Sequence, residues 1–123
     1  CAELSGGTVP EGAGPDSVSI APLLRGAGPV RSCAVHHSMT GRFAVRRGDW
    51  VFIDDVTGGD NEEPAWYRQQ RGYVAHKHAG ELYDLKADLA QRQNCYAEQP
   101  EIVAELGDLL QRVKAGADQR CVG

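Results

Sequence analysis

The residues of this chain best suited to chemistry are its histidines, which come in two pairs. His36 and His37 are adjacent, and His76 and His78 are separated by one residue. The H-x-H spacing allows two imidazoles to chelate zinc, but no further ligands follow at the spacing typical of zinc sites. Imidazole also suits general acid/base chemistry and the binding of anionic substrates. The alternative interpretation, which composition alone favours, is that these are solvent-exposed loop histidines.

A second cluster that could do chemistry is acidic. Asp54 and Asp55 end an apolar run, and Asp60, Glu62 and Glu63 follow in the next segment. Carboxylates at the end of a strand suit a hard cation such as calcium or magnesium. A solvated turn is the favoured alternative, because no D-x-D-x-D-G loop is present. Nucleophile elbows of the G-x-S-x-G type and phosphate-binding glycine-rich loops are also missing from the sequence.

The four cysteines are widely spaced: Cys1, Cys33, Cys95 and Cys121. Four cysteines permit three disulfide pairings, and spacing alone does not choose among them. Isolated cysteines are also common as small buried apolar residues. Disulfide state and redox compartment therefore stay open, as does the possibility that Cys1 is the first residue of a mature lipoprotein.

The elements that must position these residues begin with an antiparallel meander over residues 31–54. Three β-rich runs are separated by turns that contain Gly41 and Gly48, a pattern typical of consecutive hairpins. Phe43 and Val45 should share one face of their strand. Adjacent residues of a strand point to opposite faces, so His36 and His37 cannot both face one site.

The second half of the chain predicts one more strand and one long helix. Residues 55–80 form a polar connection with an aromatic island, and such long connections often serve function or face a partner. Residues 81–85 predict a short strand, and residues 99–115 predict an amphipathic helix with Pro100 in its first turn and Gly116 after its end. The aromatic island comprises Trp66, Tyr67 and Tyr73.

Residues 1–30 are rich in glycine and proline, which predicts an irregular linker. One short amphipathic helix follows Asp16 and Ser17, either of which could cap it. With 123 residues the chain suits one domain or part of one. Its net charge of −4 argues against nucleic acid as a partner. No apolar run approaches the length of roughly 18 residues that spans a membrane.

Four stretches of the sequence together resemble the C-terminal end of the sulfatase family. Residues 35–50 are similar to the family segment V-H-H-S-x-x-G-x-F-A-I-R-x-G-x-W. Residues 66–73 resemble its W-[FY]…R-G-Y loop, residues 80–88 its G-E-L-Y-D-L-x-x-D strand, and residues 94–110 its N-x-Y-A-E-x-P-E helix. The residues around Ala2 and Gly14 resemble the linker that enters this subdomain. The order and spacing of these motifs match along nearly the whole chain.

The resemblance implies an α+β fold, a small antiparallel sheet of about four strands packed by a C-terminal amphipathic helix. It divides the chain into a linker, residues 1–30, and a C-terminal subdomain, residues 31–123. The parent enzyme would hydrolyse sulfate esters with calcium and a formylglycine made within C/S-x-P/A-x-R. No cysteine or serine here fits that motif, so the expected partner is a missing N-terminal catalytic domain. The family also favours a periplasmic or extracellular location.

Within the family the loop before the Leu-Tyr-Asp-Leu strand approaches the mouth of the active site. The resemblance therefore implies substrate contacts from residues that can donate hydrogen bonds or positive charge to a sulfate ester. The candidates are His76, His78, His37, His36, Arg68 and Arg71. No catalytic or metal-binding residue is expected in this chain, because Asp54 and Asp55 fall in the C-terminal sheet and not in the family's calcium site.

Two other classes of function stay open. A freestanding interaction or carbohydrate-binding module would use the aromatic island as its platform. A small metal-binding protein would use the histidines and aspartates, and would bind zinc or calcium stoichiometrically.

Overall fold

One antiparallel sheet and one long helix form the body of the molecule. The computed structural model describes residues 1–56, 64–72, 74–117 and 121. The strands are β1 (Ala34–His37), β2 (Phe43–Arg47), β3 (Trp50–Ile53) and β4 (Glu81–Asp84), in the spatial order β1-β2-β3-β4. The helices are α1 (Ala21–Leu24), α2 (Ala65–Gln70) and α3 (Pro100–Lys114), with a short 3-10 turn at Glu3–Ser5. The predicted α+β class, the four strands and the C-terminal helix are confirmed.

The β2–β3 hairpin sets the register of the sheet. Arg47 pairs with Trp50, so Gly48 and Asp49 form a two-residue loop. Gly48 has a φ of 59°, and a positive φ at the first loop residue is the conformation that type II′ hairpin turns require. The predicted reversal at residues 47–49 is therefore confirmed.

The hydrophobic core lies between one face of the sheet and α3. Val45, Phe52 and Leu82 lie in one row across β2, β3 and β4, and all three are buried. They pack against the apolar stripe of α3, whose buried residues are Leu106, Leu109 and Leu110. As predicted, α3 has Pro100 in its first turn and basic residues in its last turn, where they favour the helix dipole.

A disulfide joins the start of the sheet to the end of the chain. Cys33 is bonded to Cys121 across 88 positions of sequence, and both residues are buried in the core cluster. The backbone N–H of Ser32 also donates to the carbonyl of Cys121, at 2.6 Å. Cys1 and Cys95 are free thiols. The structure thus selects one of the three pairings that the spacing left open.

Two elements differ from the sequence-based expectation. α1 begins at Ala21 with Ile20 at its N-cap, so neither Asp16 nor Ser17 caps it, because Pro22 with its fixed φ sets the start of the helix later. Helix α2 was not predicted. It follows Pro64 and contains Arg68, Gln69 and Gln70, which are good helix formers. None of the helices in the described part of the chain is long and apolar enough to cross a membrane.

We expect reduction of the Cys33–Cys121 disulfide to lower the free energy of unfolding by about 2 to 4 kcal/mol, because the crosslink restricts the unfolded chain. Thermal denaturation with and without reductant measures the change. The matched control is C95S, which removes a free thiol and should not remove the effect of reductant. An unchanged Tm on reduction would contradict a stabilising role.

The assignment of one disulfide and two free thiols predicts which cysteines a thiol reagent modifies. Burial and the neighbouring carboxylates of Glu98, Asp84 and Asp88 raise the pKa of the Cys95 thiol. Because less Cys95 is thiolate near pH 8, iodoacetamide should modify exposed Cys1 first and Cys95 more slowly. Mass spectrometry of peptides from the oxidised protein should find Cys33 and Cys121 unmodified.

Candidate functional site

A column of four aromatic rings leads from the core to the surface beside β4. Tyr96 stacks on Phe52 of the core at a centroid distance of 6.5 Å, and His78 stacks on Tyr96 at 5.8 Å. His76 completes the column at 5.6 Å from His78. Interplanar angles of 21° to 26° keep the rings nearly parallel, at separations typical of stacked aromatic pairs. The column therefore fixes both histidines relative to the core.

Gly80 makes room for this column immediately before β4. A Cβ atom at this position would lie 2.9 Å from Cε2 of Tyr96, 3.2 Å from Cε2 of Phe52 and 2.8 Å from the carbonyl oxygen of Ile53. Contacts this short require the rings or the strand to shift. The glycine is thus a steric requirement of the stack, since its backbone alone fills the space.

His76 is held through both of its ring nitrogens. Nε2 lies 2.8 Å from Oε1 of Glu81, and the backbone N–H of His78 donates to Nδ1 at 3.2 Å. Because Nδ1 accepts a hydrogen bond, the ring hydrogen is assigned to Nε2, which donates to Glu81. The side chain of His76 is only 10% exposed. It therefore positions its neighbours and has no nitrogen left for a ligand.

Glu81 is the buried charged residue to which this arrangement is anchored, at 2% exposure. The hydroxyl of Tyr83 donates to its second carboxylate oxygen at 3.0 Å. Residues of a strand alternate between faces, and Leu82 faces α3, so Glu81 and Tyr83 lie on the opposite face of β4. With both oxygens accepting hydrogen bonds, the carboxylate is satisfied despite its burial.

Asn94 protects the outer edge of β4. Its Oδ1 accepts the backbone N–H groups of Leu82 and Tyr96, each at 3.0 Å. The backbone N–H of Cys95 donates to the carbonyl of Leu82 at 2.7 Å. These bonds take the place of a fifth strand, and they fix Tyr96 in position for the ring column.

A cavity of about 270 Å³ opens beside His76 and His78. Its described walls are Val74, His76, His78, Tyr83, Gln91, Arg92 and Asn94. Two sequence-predicted candidates, His76 and His78, are thus brought together here. The wall residues offer hydrogen-bond donors for an anion or a sugar hydroxyl. No serine or cysteine is among the described walls. No group of three or more metal-ligating side chains occurs among the described residues.

The other predicted residues lie elsewhere. His36 and His37 are exposed on β1, at the sheet edge opposite β4 and so about 14 Å away at three strand spacings. His37 Nδ1 lies 2.9 Å from the carbonyl of Ser38. Arg68 is exposed on α2, and Arg71 is half-buried at its C-cap. None of these four residues is among the described walls of the cavity.

The acidic candidates make ion pairs with the chain itself. Lys114 Nζ lies 2.9 Å from Oδ2 of Asp54, and Arg42 pairs with Asp55. These contacts agree with the structural interpretation of the two aspartates rather than with a cation site. Asp60, Glu62, Glu63 and Tyr73 lie outside the described residues. Trp66 and Tyr67 form an exposed edge-to-face pair on α2 at 5.7 Å.

Sequence reasoning missed most residues of the site, among them Glu81, Gln91, Arg92 and Asn94. Glu81 lay within the strand motif, where alternation alone does not distinguish a buried carboxylate from an exposed one. Asn94 carried a signal, since it stands before the helix in the resemblance, but its role at the strand edge depends on tertiary contacts. Gln91 and Arg92 lie in a segment with no periodic pattern.

The fold and site together define an α+β protein with a cavity beside its edge strand. No protein-family model matches the chain. It is 32% identical over 110 residues to an N-acetylgalactosamine-6-O-sulfatase of Bacteroides thetaiotaomicron, an alignment that covers 86% of this chain and 20% of the relative. The chain thus spans about a fifth of the length of this curated relative.

Solved structures agree with this relationship. One B. thetaiotaomicron protein, labelled 6S-sulf and solved in work on the metabolism of multiple glycosaminoglycans, superposes with a TM-score of 0.69 at 28% identity. This match covers 93% of this chain and 23% of that one. A candidate sulfatase from the same organism shares the fold, with a TM-score of 0.59 at 21% identity over 95% of this chain and 23% of its own. The chain is thus similar to about a fifth to a quarter of each of these proteins, in agreement with the resemblance to the C-terminal end of the sulfatase family.

Substitution G80A should destabilise the protein by about 1 to 3 kcal/mol, because its methyl group would collide with Tyr96, Phe52 and the Ile53 carbonyl. Chemical denaturation measures the loss. The matched control is G107A in α3, where the nearest atom outside the helix would be 4.0 Å away. This control should be neutral or slightly stabilising, as alanine favours a helix. Equal effects of the two substitutions would exclude a special role for Gly80.

Substitution E81Q should lower the free energy of unfolding by about 1 to 3 kcal/mol. The amide keeps one acceptor, but its NH₂ group must face one of the two donors, Tyr83 or His76. The comparison variant is E105Q, because Glu105 forms an exposed ion pair with Arg47, worth about 0 to 1 kcal/mol. If E81Q were no more destabilising than E105Q, the buried carboxylate would not anchor the site.

Proposed function

We propose that this chain serves as the C-terminal part of an enzyme that hydrolyses sulfate esters, and that its cavity beside β4 contributes substrate contacts. The observation that carries the proposal is His78. Its ring lies in the column and on the cavity wall, and no described residue makes a hydrogen bond to its ring nitrogens. A hydrogen bond from this imidazole to a sulfate or a sugar hydroxyl suits the site.

The division into a linker (1–30) and a subdomain (31–123) forms part of the proposal. In residues 1–30, Ala21 is the one buried residue. Many contacts of this segment are internal, such as the Ser19 hydroxyl and the Arg25 guanidinium that bind Glu3 and lower its pKa. The expected partner of the linker is an N-terminal catalytic domain.

The first substrate class to test is a sulfated amino sugar. The curated relative is named for N-acetylgalactosamine 6-O-sulfate, and we extend that class to this chain because the cavity combines hydrogen-bond donors with positive charge. A disulfide is typical of oxidising compartments, which supports the expected periplasmic or extracellular location.

The calcium ion and formylglycine implied by the family do not fit the residues of this chain. Its described part offers no cluster of three metal-ligating side chains, and its sequence contains no C/S-x-P/A-x-R motif. We therefore assign both groups to the parent enzyme and derive no catalytic step from them. The role proposed for this chain is to bind and orient the substrate.

The coding DNA upstream of Cys1 provides the first test. We expect an open frame of several hundred codons that contains C/S-x-P/A-x-R and an early Asp-Asp pair. In the protein that this frame encodes, H78A should raise KM for a sulfated amino sugar by about tenfold, as a lost hydrogen bond to a charged group does.

The control for this test is H36A, since His36 lies on the opposite edge of the sheet. A stop codon or signal sequence directly upstream would contradict the proposal and favour a carbohydrate-binding module, for which the exposed Trp66–Tyr67 pair is the natural platform. Equal KM values for H78A and H36A would contradict the role of His78 alone.

A further inference from the structure

We propose that Arg92 and His78 form an anion subsite that binds a sulfate or carboxylate group of an acidic sugar. The inference rests on the proposed function for the identity of the ligand, and on this chain alone for the site. Arg92 lies on the cavity wall but outside the four stretches that carry the resemblance, so the resemblance assigns it no role.

The first observation is the charge of the cavity. The chain has a net charge of −4, yet the described walls contain one arginine and two histidines and no carboxylate. Glu81 lies behind His76 with both of its oxygens engaged. An anion that enters the cavity therefore meets donors and positive charge without a competing acid on the wall.

The second observation is that the loop before Asn94 is built to hold Arg92 at the wall. The Asp88 carboxylate accepts the backbone N–H groups of Arg92 and Gln93 at 2.6 and 2.7 Å. Gln91 adopts a left-handed backbone conformation, with φ at 52°. Such a conformation is costly for a residue other than glycine and persists where its surroundings impose it. With the loop in this conformation, Gln91 and Arg92 line the same cavity as His78.

The third observation is the path of the Arg92 side chain. Its stem lies against Gly72 at the end of α2, where a Cβ atom would be 3.6 Å from Cδ and 3.7 Å from Nε. Gly72 has a φ of 77°, which favours glycine. No carboxylate within the described ranges forms a salt bridge with Arg92. Its planar guanidinium is therefore available for the two-point contact that sulfate and carboxylate groups favour.

The size of the cavity limits the ligand. At about 270 Å³ it lies just below the range of roughly 300 to 1,000 Å³ in which drug-sized ligands bind. It suits one anionic group with the part of the sugar ring that carries it. His78, fixed between Tyr96 and His76, adds a donor at a set position.

The kinetic test uses the protein encoded by the uninterrupted reading frame. R92Q is compared with wild type on N-acetylgalactosamine 6-sulfate, on a sulfated disaccharide that also bears a uronic acid, and on 4-nitrophenyl sulfate. The matched control is R112Q, because Arg112 is exposed on α3 and does not line the cavity. We expect R92Q to raise KM by about tenfold or more with kcat little changed.

The three substrates distinguish the source of the anion. An effect confined to the disaccharide assigns the subsite to the carboxylate, whereas an effect on all three assigns it to the sulfate. Equal KM values for R92Q and R112Q on every substrate would overturn the subsite but not the sulfatase proposal. Wild-type protein inactive on all three substrates would overturn the proposed function instead.

A direct measurement of sulfate binding tests the subsite independently of enzyme activity. Inorganic sulfate titrated into the 123-residue chain should move the NMR signals of the His78 ring, and R92Q should weaken this response by about tenfold, while R112Q should leave it unchanged. Absence of any shift in the wild-type chain would overturn the subsite.

Discussion

The position of the candidate site depends on the stacking of Tyr96 on Phe52. Phe52 belongs to the packed core between the sheet and α3, so its ring is fixed by close-packed neighbours. His78 stacks on Tyr96, and His76 stacks on His78, so each ring is held against the one before it. Two histidines in a connecting segment thereby acquire the fixed orientation that binding requires. The absence of a side chain at Gly80 is the steric condition for the whole arrangement.

The second constraint is electrostatic. Burying a carboxylate costs free energy unless hydrogen bonds replace the lost water. Glu81 meets this condition with the Tyr83 hydroxyl and the His76 Nε2–H. Satisfying Glu81 determines the tautomer of His76, and the accepting Nδ1 of His76 in turn binds the backbone of His78. One buried charge thus specifies the geometry of a neighbouring ring without itself facing the cavity.

Local pattern was enough to predict the sheet and α3, because each depends on signals that lie close together in sequence. The hairpin at Gly48 needs only a flexible residue in a two-residue loop, and α3 combines Pro100, an apolar stripe and Gly116.

The spacing of the histidines likewise identifies His76 and His78 as candidate site residues. Their separate roles could not be predicted, because they depend on contacts made in the fold. His76 contacts Glu81, whereas His78 stacks on Tyr96. The Cys33–Cys121 bond joins residues 88 positions apart, so it depends on how the fold brings the end of the chain to the start of the sheet. Arg92 lacked any signal, because a loop residue reaches a cavity wall only through the fold.

The proposed function gives this chain the task of binding and orienting the substrate, not of attacking it. Interactions remote from the reacting bond hold the substrate in the orientation that the reaction needs, and effective molarities show that such positioning accounts for a large part of many rate enhancements. The cavity beside β4 offers hydrogen-bond donors on a rigid frame together with the positive charge of Arg92. In the relative and in the solved structure with the higher TM-score, the region similar to this chain makes up only about a fifth to a quarter of the protein. Under the proposed function, another part of the enzyme supplies the chemistry, while the Arg92 guanidinium and the His78 ring on the cavity wall hold the substrate in position.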